Sequence, residues 1–305
     1  MPNAQIEQLN QRFGRGLRLR FSEGNAGLTR AELVYNEASA EVYLQGAHIS
    51  RYRPWPGVDA LWLSDSAIFQ PGKALRGGIP LCWPWFGAAT ERVDRPQHGY
   101  ARSADFSVTS TACDHQATTI TLALDPAQAP YAEWQNRLQL ELEIRLSDTL
   151  WMEMRSTSLS AEPLIISNAL HSYFAIADRA SVSIPALTGL DYRDKLQDYR
   201  WLRQATAIEF SGEVDRVYCD PPATVLLIDH ARQMTTAIQS WGNNNLVLWN
   251  PGAEKARAMT DFDDTGYRRM VCIEPANALK QCVNLQPGEC QRLGQRIALA
   301  AIAAA

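Results

Sequence analysis

None of the six cysteines of this 305-residue chain stands in a C-x-x-C pair, so neither a zinc knuckle nor a thioredoxin-type redox centre is written in it. No run approaches the ~18 apolar residues of a membrane helix. The amino terminus, MPNAQIEQLNQRFGRG, is polar and lacks the apolar core of a signal peptide. The expectation is a cytoplasmic chain with reduced thiols and no membrane contact. Sustained basic runs are missing, and the net charge is -4, which argues against nucleic acid as a partner. Convincing helical periodicity is scarce, no internal repeat is evident, and no break in composition marks a linker. Signatures of nucleotide loops and nucleophile elbows are absent as well.

What is present reads as β-structure. Hydrophobic residues make up 46% and charged residues 20%, the balance of an ordinary globular protein. One short helix is predicted over 3–14. The clearest period-2 signal runs from Leu138 to Leu146, with leucines and one isoleucine on one face and Gln139, Glu141, Glu143 and Arg145 on the other. It turns through Ser147-Asp148-Thr149 into a second alternating run at 150–155, a hairpin with a wet outer face. Thr118–Leu124 is β-rich, and further strands are predicted at 164–174, 180–184, 207–210, 223–228, 235–240, 246–249, 270–274 and 290–298. Short spacing without helices points to an antiparallel sandwich. The chain reads as one domain over 1–305, with 1–16 and 298–305 peripheral.

The organising stretch is LRGGIPLCWPWFGAATERVDRPQHGYAR, from Leu75 to Arg102. Its prolines exclude a long helix and a central strand. Arg76 and Arg102 at its ends suit an anion, because a guanidinium fork matches phosphate or carboxylate oxygens; a stiff core loop with two solvated arginines fits equally. Lys73 is placed to reinforce that charge from the rim.

Three further clusters stand out. In NALHSYF, a strand puts Ala169, His171 and Tyr173 on one face, an imidazole beside a phenol; a half-buried histidine with a satisfied hydrogen bond gives the same pattern. In MVCIEPAN, Glu274 closes an apolar strand, where partial burial raises its pKa and makes it a better proton acceptor. An edge glutamate paired with Arg268 or Arg269 is the competing reading. In GEVDRVY, Asp215 sits in a loop-like context, as a hydroxyl acceptor or as a solvated turn acid.

Taken in order, RGGIPLCWPWFG, QHGYAR, ALHSYF, EVDRVY, LWNPG and VCIEPAN resemble the hexose-6-phosphate mutarotases. These form the glucose-6-phosphate 1-epimerase branch of the galactose mutarotase-like (aldose 1-epimerase) superfamily. The likeness spans about Ala40 to Leu293. It implies an all-β, antiparallel β-supersandwich with few short helices and the sugar in a cleft across one sheet. It implies a catalytic pair, His171 and Glu274, and substrate-binding positions at Arg76, Gln97, His98, Arg102 and Asp215, with no cofactor and no metal. Tyr100 departs from the usual phenylalanine or leucine, and Phe106 from a frequent tryptophan. The implied reaction interconverts the α and β anomers of glucose 6-phosphate and related hexose 6-phosphates by a monomeric enzyme. Glu274 would be the base on O1 and protonated His171 the acid on O5, on opposite sides of the sugar. Alternatives are an aldose 1-epimerase for neutral sugars and a non-catalytic sugar-phosphate-binding protein.

Overall fold

The computed structural model describes residues 4–89 and 94–302. Antiparallel pairing accounts for every strand ladder among them. An eight-stranded sheet runs in the order Arg200–Arg203, Asp191–Asp194, Val214–Cys219, Asn245–Asn250, Met270–Asn277, Asn168–Leu170, Leu81–Cys82, with Tyr173–Ala175 also pairing Met270–Asn277. A second eight-stranded sheet runs Val182–Ser183, Thr224–Asp229, Met234–Trp241, Cys290–Ala301, Leu150–Ser158, Leu138–Leu146, Thr118–Leu124, Ser107–Cys113. A four-stranded sheet spans Leu19–Glu23 to His48–Arg53, and Leu164–Ile166 pairs with Val283–Leu285. Among the described residues the α-helices are Ala4–Phe13 and Gly252–Ala258.

Alternation explains how the first sheet carries both a core and a site. Along Met270–Asn277, Val271 and Ile273 join the main core, which also holds Leu140, Leu142 and Ile144 of the opposing sheet. Met270, Cys272 and Ala276 point the other way, into a second apolar cluster with Val247, Trp249 and Tyr173. Every residue of Asn245–Asn250 and Met270–Asn277 is buried, so these central strands are covered on both faces. The second sheet instead shows the one-sided alternation of Leu138–Leu146, buried on every other residue.

Residues 78–84 of the organising stretch form the edge of the first sheet, the position that proline tolerates; its residues 90–93 lie outside the described residues. Only Leu81–Cys82 is formal strand, yet hydrogen bonds from its flanks continue the ladder. The amides of Ser167, His171 and Tyr173 donate to the carbonyls of Pro84, Pro80 and Gly78 at 3.0, 3.1 and 2.9 Å. Gly78 has φ +61°, and a Cβ there would stand 2.2 Å from the Ile49 carbonyl oxygen. Gly99 has φ +75°, and its Cβ would fall 1.9 Å from the Trp83 carbonyl oxygen. Both positions require glycine for conformation and for space.

Several strand boundaries differ from the sequence reading. The expected strand at 164–174 is three shorter ones: at Ser167 the chain exchanges Val283–Leu285 for Met270–Asn277 and Leu81–Cys82, and at His171 and Ser172 the ladder to Met270–Asn277 is interrupted without a change of register. Residues 207–210 are not strand, since no neighbouring strand offers them a ladder. Val214–Cys219, read as loop, is an inner strand of the first sheet.

Candidate active site

His171 and Glu274 are brought together by register. Ala169 pairs Ala276 and Tyr173 pairs Cys272, so the same alignment carried between them sets His171 opposite Glu274. The imidazole Nδ1 lies 3.4 Å from Glu274 Oε1, and the two residues are 8% and 1% exposed. They stand side by side on one floor. The expectation that they face each other across a sugar ring is corrected: no pyranose fits into 3.4 Å. Tyr173 stacks under the imidazole with ring centroids 4.8 Å apart and planes at 12°, and Trp249 meets it edge-on at 5.9 Å. Arg268 and Arg269 are paired elsewhere, with Asp178 and with Asp65 and Asp263, so they do not neutralise Glu274.

Burial drives both groups toward neutrality. Desolvation, followed by the charge of Asp215, holds the Glu274 carboxyl well above the usual carboxylate range, and Lys195 opposes this. Desolvation pulls the His171 imidazole well below its usual value, with His98, Arg76 and Arg102 acting in the same direction. His171 Nδ1 and Glu274 Oε2 have no hydrogen-bond partner.

A cavity of about 150 Å³ opens above this floor. His171, Glu274, Arg76, Gln97, His98, Arg102 and Asp215 all line it, so the seven residues singled out from sequence meet in one place. Arg76 donates to Tyr173 Oη at 3.1 Å and to Asp261 Oδ2 at 3.2 Å, which fixes its fork. Arg102 donates to the Gln97 carbonyl at 2.7 Å. Phe86 packs on His98, and the Gly87 amide donates to His98 Nδ1 at 3.3 Å. A neutral His98 therefore carries its proton on Nε2. Burial, with Arg102, Lys195 and Arg76 in support, pushes its pKa down to about 3.

Two basic residues were missed. Lys195 lies in the turn between Asp191–Asp194 and Arg200–Arg203, and its Nζ stands 2.8 Å from Asp215 Oδ2. Lys255, on the helix Gly252–Ala258, pairs with Glu213 at 2.5 Å. Only tertiary contact reveals them; no motif flags either one. Lys73, expected at the rim, does not line the cavity. Asp215 is an inner-strand residue at 5% exposure, with a pKa raised by desolvation against the pull of Lys195; the solvated-turn reading is excluded.

Four cations and two carboxylates line the cleft. Arg76, Lys195 and Lys255 each have a carboxylate partner, whereas Arg102 bonds a carbonyl. The arrangement offers a hydroxyl-bearing anion charge-assisted donors on the walls and a proton-transfer pair on the floor.

The sequence pattern of the aldose 1-epimerase family matches residues 31–298. A protein of Cenchrus ciliaris, provisionally named glucose-6-phosphate 1-epimerase, is 35% identical over 273 residues, covering 86% of this chain and 81% of its own. A Salmonella typhimurium protein of the same provisional name is 33% identical over 267 residues, covering 87% and 88%. A crystal structure of a provisionally assigned mutarotase from Salmonella typhimurium superimposes with a TM-score of 0.85 at 29% identity, over 93% of this chain and 94% of that one. An Escherichia coli K12 structure provisionally assigned as an aldose 1-epimerase shares the fold at a TM-score of 0.69 and 12% identity, over 90% and 100%.

Proposed function

The chain belongs to the aldose 1-epimerase family, and from that premise we propose that it interconverts the α and β anomers of D-glucose 6-phosphate and related hexose 6-phosphates. The observation that carries the proposal is the meeting of His171 and Glu274, at 3.4 Å, beneath walls bearing Arg76, Arg102, Lys195 and Lys255.

Anomer exchange requires O1 to lose a proton and O5 to gain one as the C1–O5 bond breaks. Both oxygens are bonded to C1, so an acid and a base standing side by side serve both from one floor. Glu274 takes the O1 proton, the C1–O1 bond becomes a carbonyl, and the His171 imidazolium protonates O5. Rotation about C1–C2 exposes the other carbonyl face, and the reverse transfers close the ring. General acid–base catalysis of this kind contributes roughly 10²–10⁴-fold.

Burial pulls the imidazole toward its neutral form. Docking a phosphate against Arg76 and Arg102 offsets two of the charges that depress its pKa, so the substrate's own charge favours the protonated acid. His98 supplies an Nε2–H donor to the sugar, and Asp215, held by Lys195, accepts from a hydroxyl.

The test is α/β exchange followed by NMR on glucose 6-phosphate beside glucose and galactose. The proposal predicts exchange above the spontaneous rate for the phosphorylated sugar and far less for the neutral ones. Equal or faster exchange of a neutral sugar would overturn the phosphate assignment; no acceleration of any would overturn the activity.

A further inference from the structure

Cys272 plays no part in the proton transfers above, yet it completes a constellation with the two residues that do. His171, Cys272 and Glu274 each offer one ligand atom, and these atoms lie within 4.8 Å of one another. The strand period puts Cys272 and Glu274 on the same face, and the register sets His171 across from Glu274. All three residues are buried. His171 Nδ1 and Glu274 Oε2 make no hydrogen bond, Nδ1 meeting Glu274 Oε1 at 3.4 Å without one, although their residues are only 8% and 1% exposed. Polar atoms left without a hydrogen bond at that depth are costly, and a bound cation would satisfy them.

We propose that this trio is a binding site for a soft divalent cation, zinc foremost, and that the bound cation inhibits the enzyme. Nitrogen, thiolate and carboxylate donors suit zinc, whose tetrahedral geometry sets its nitrogen and oxygen ligands roughly 3.3 Å apart. His171 Nδ1 and Glu274 Oε1 already stand at 3.4 Å. Thiolate and carboxylate together balance the charge of the dication, and their protons leave as it binds. Arg76, Arg102 and Lys195 oppose a cation, but Arg76 and Lys195 are each offset by a carboxylate. Calcium and magnesium prefer oxygen ligands throughout and are excluded by the same donor set. Inhibition follows because the lone pairs that would move protons are tied up in coordination. That consequence rests on the proposed acid–base roles; the binding itself does not.

Cobalt(II), as a zinc surrogate, is titrated into chelator-treated protein. The expected result is one cobalt per chain and a sulfur-to-metal charge-transfer band in the near ultraviolet. Cys272→Ala abolishes the band, while Cys82→Ala, at the neighbouring buried cysteine, retains it. Zinc suppresses anomer exchange of glucose 6-phosphate, and Cys272→Ala weakens that inhibition by roughly tenfold or more with the metal-free rate unchanged. Cys272→Val, closer in volume, serves where alanine fails to fold. Absence of the band in the wild type, or its persistence in the Cys272 variants, overturns the site. A Cys272-dependent band in a protein without metal-free exchange activity upholds the site and overturns the proposed function instead.

Discussion

At the scale of single residues, environment sets the chemistry of the cleft. Glu274 is a carboxyl raised by burial and His171 an imidazole lowered by it, so the two proton affinities are pushed toward each other. A pH profile follows from these signs. Activity falls at low pH as Glu274 protonates and at high pH as His171 loses its proton. The alkaline limb of kcat/KM reports the free enzyme and that of kcat the complex. Bound phosphate raises the imidazole, so the kcat limb is expected at higher pH than the kcat/KM limb. Steady-state rates from pH ~4 to ~9, corrected for the phosphate's own second ionisation near pH ~6, check this; coincident limbs would remove the substrate-armed acid. Glu274 was legible because a carboxylate closing an apolar strand is conspicuous. Lys195 was not, because its role exists only where a turn folds over Asp215.

At the scale of elements, strands with one wet face were read almost to the residue. Thr118–Leu124, read as β-rich, and Leu138–Leu146, read from its alternation, have the bounds the sequence reading gave them. Val214–Cys219 escaped notice because both its faces are covered, which mixes Val, Asp, Arg and Tyr without a visible period. The run at 207–210 shows the converse: apolar composition without a neighbour to pair with is not a strand. Glycine placement in the organising stretch and just before it gives a sharper test. Gly72 and Gly99 share a φ of +75°, but a Cβ meets nothing within 4 Å at Gly72 and a backbone oxygen at 1.9 Å at Gly99. Gly72→Ala is expected to cost about 1 kcal/mol of conformational strain, and Gly99→Ala roughly 2–4 kcal/mol. Urea denaturation midpoints measure both, and equal losses would show that close approach to Trp83 is not the constraint.

At the scale of the whole molecule, one apolar core takes residues from the four-stranded sheet and from both eight-stranded sheets, among them Leu33, Ile49, Leu142, Ile238 and Ile273. We read the chain as a single domain on that ground. Tryptophan fluorescence and far-ultraviolet circular dichroism should then report one coincident unfolding transition; two separated transitions would divide it. The six sequence blocks carried the family and the seven residues that meet around one cavity. They could not supply the relative placement of His171 and Glu274, since a separation along the chain leaves the distance in space open until a register is fixed. The account depends on that placement, and anomer exchange of glucose 6-phosphate in His171→Asn and Glu274→Gln tests it most directly. Each variant is predicted to lose roughly 10²–10⁴-fold in kcat with little change in KM. Near-wild-type exchange in either one would contradict the shared floor as the seat of proton transfer.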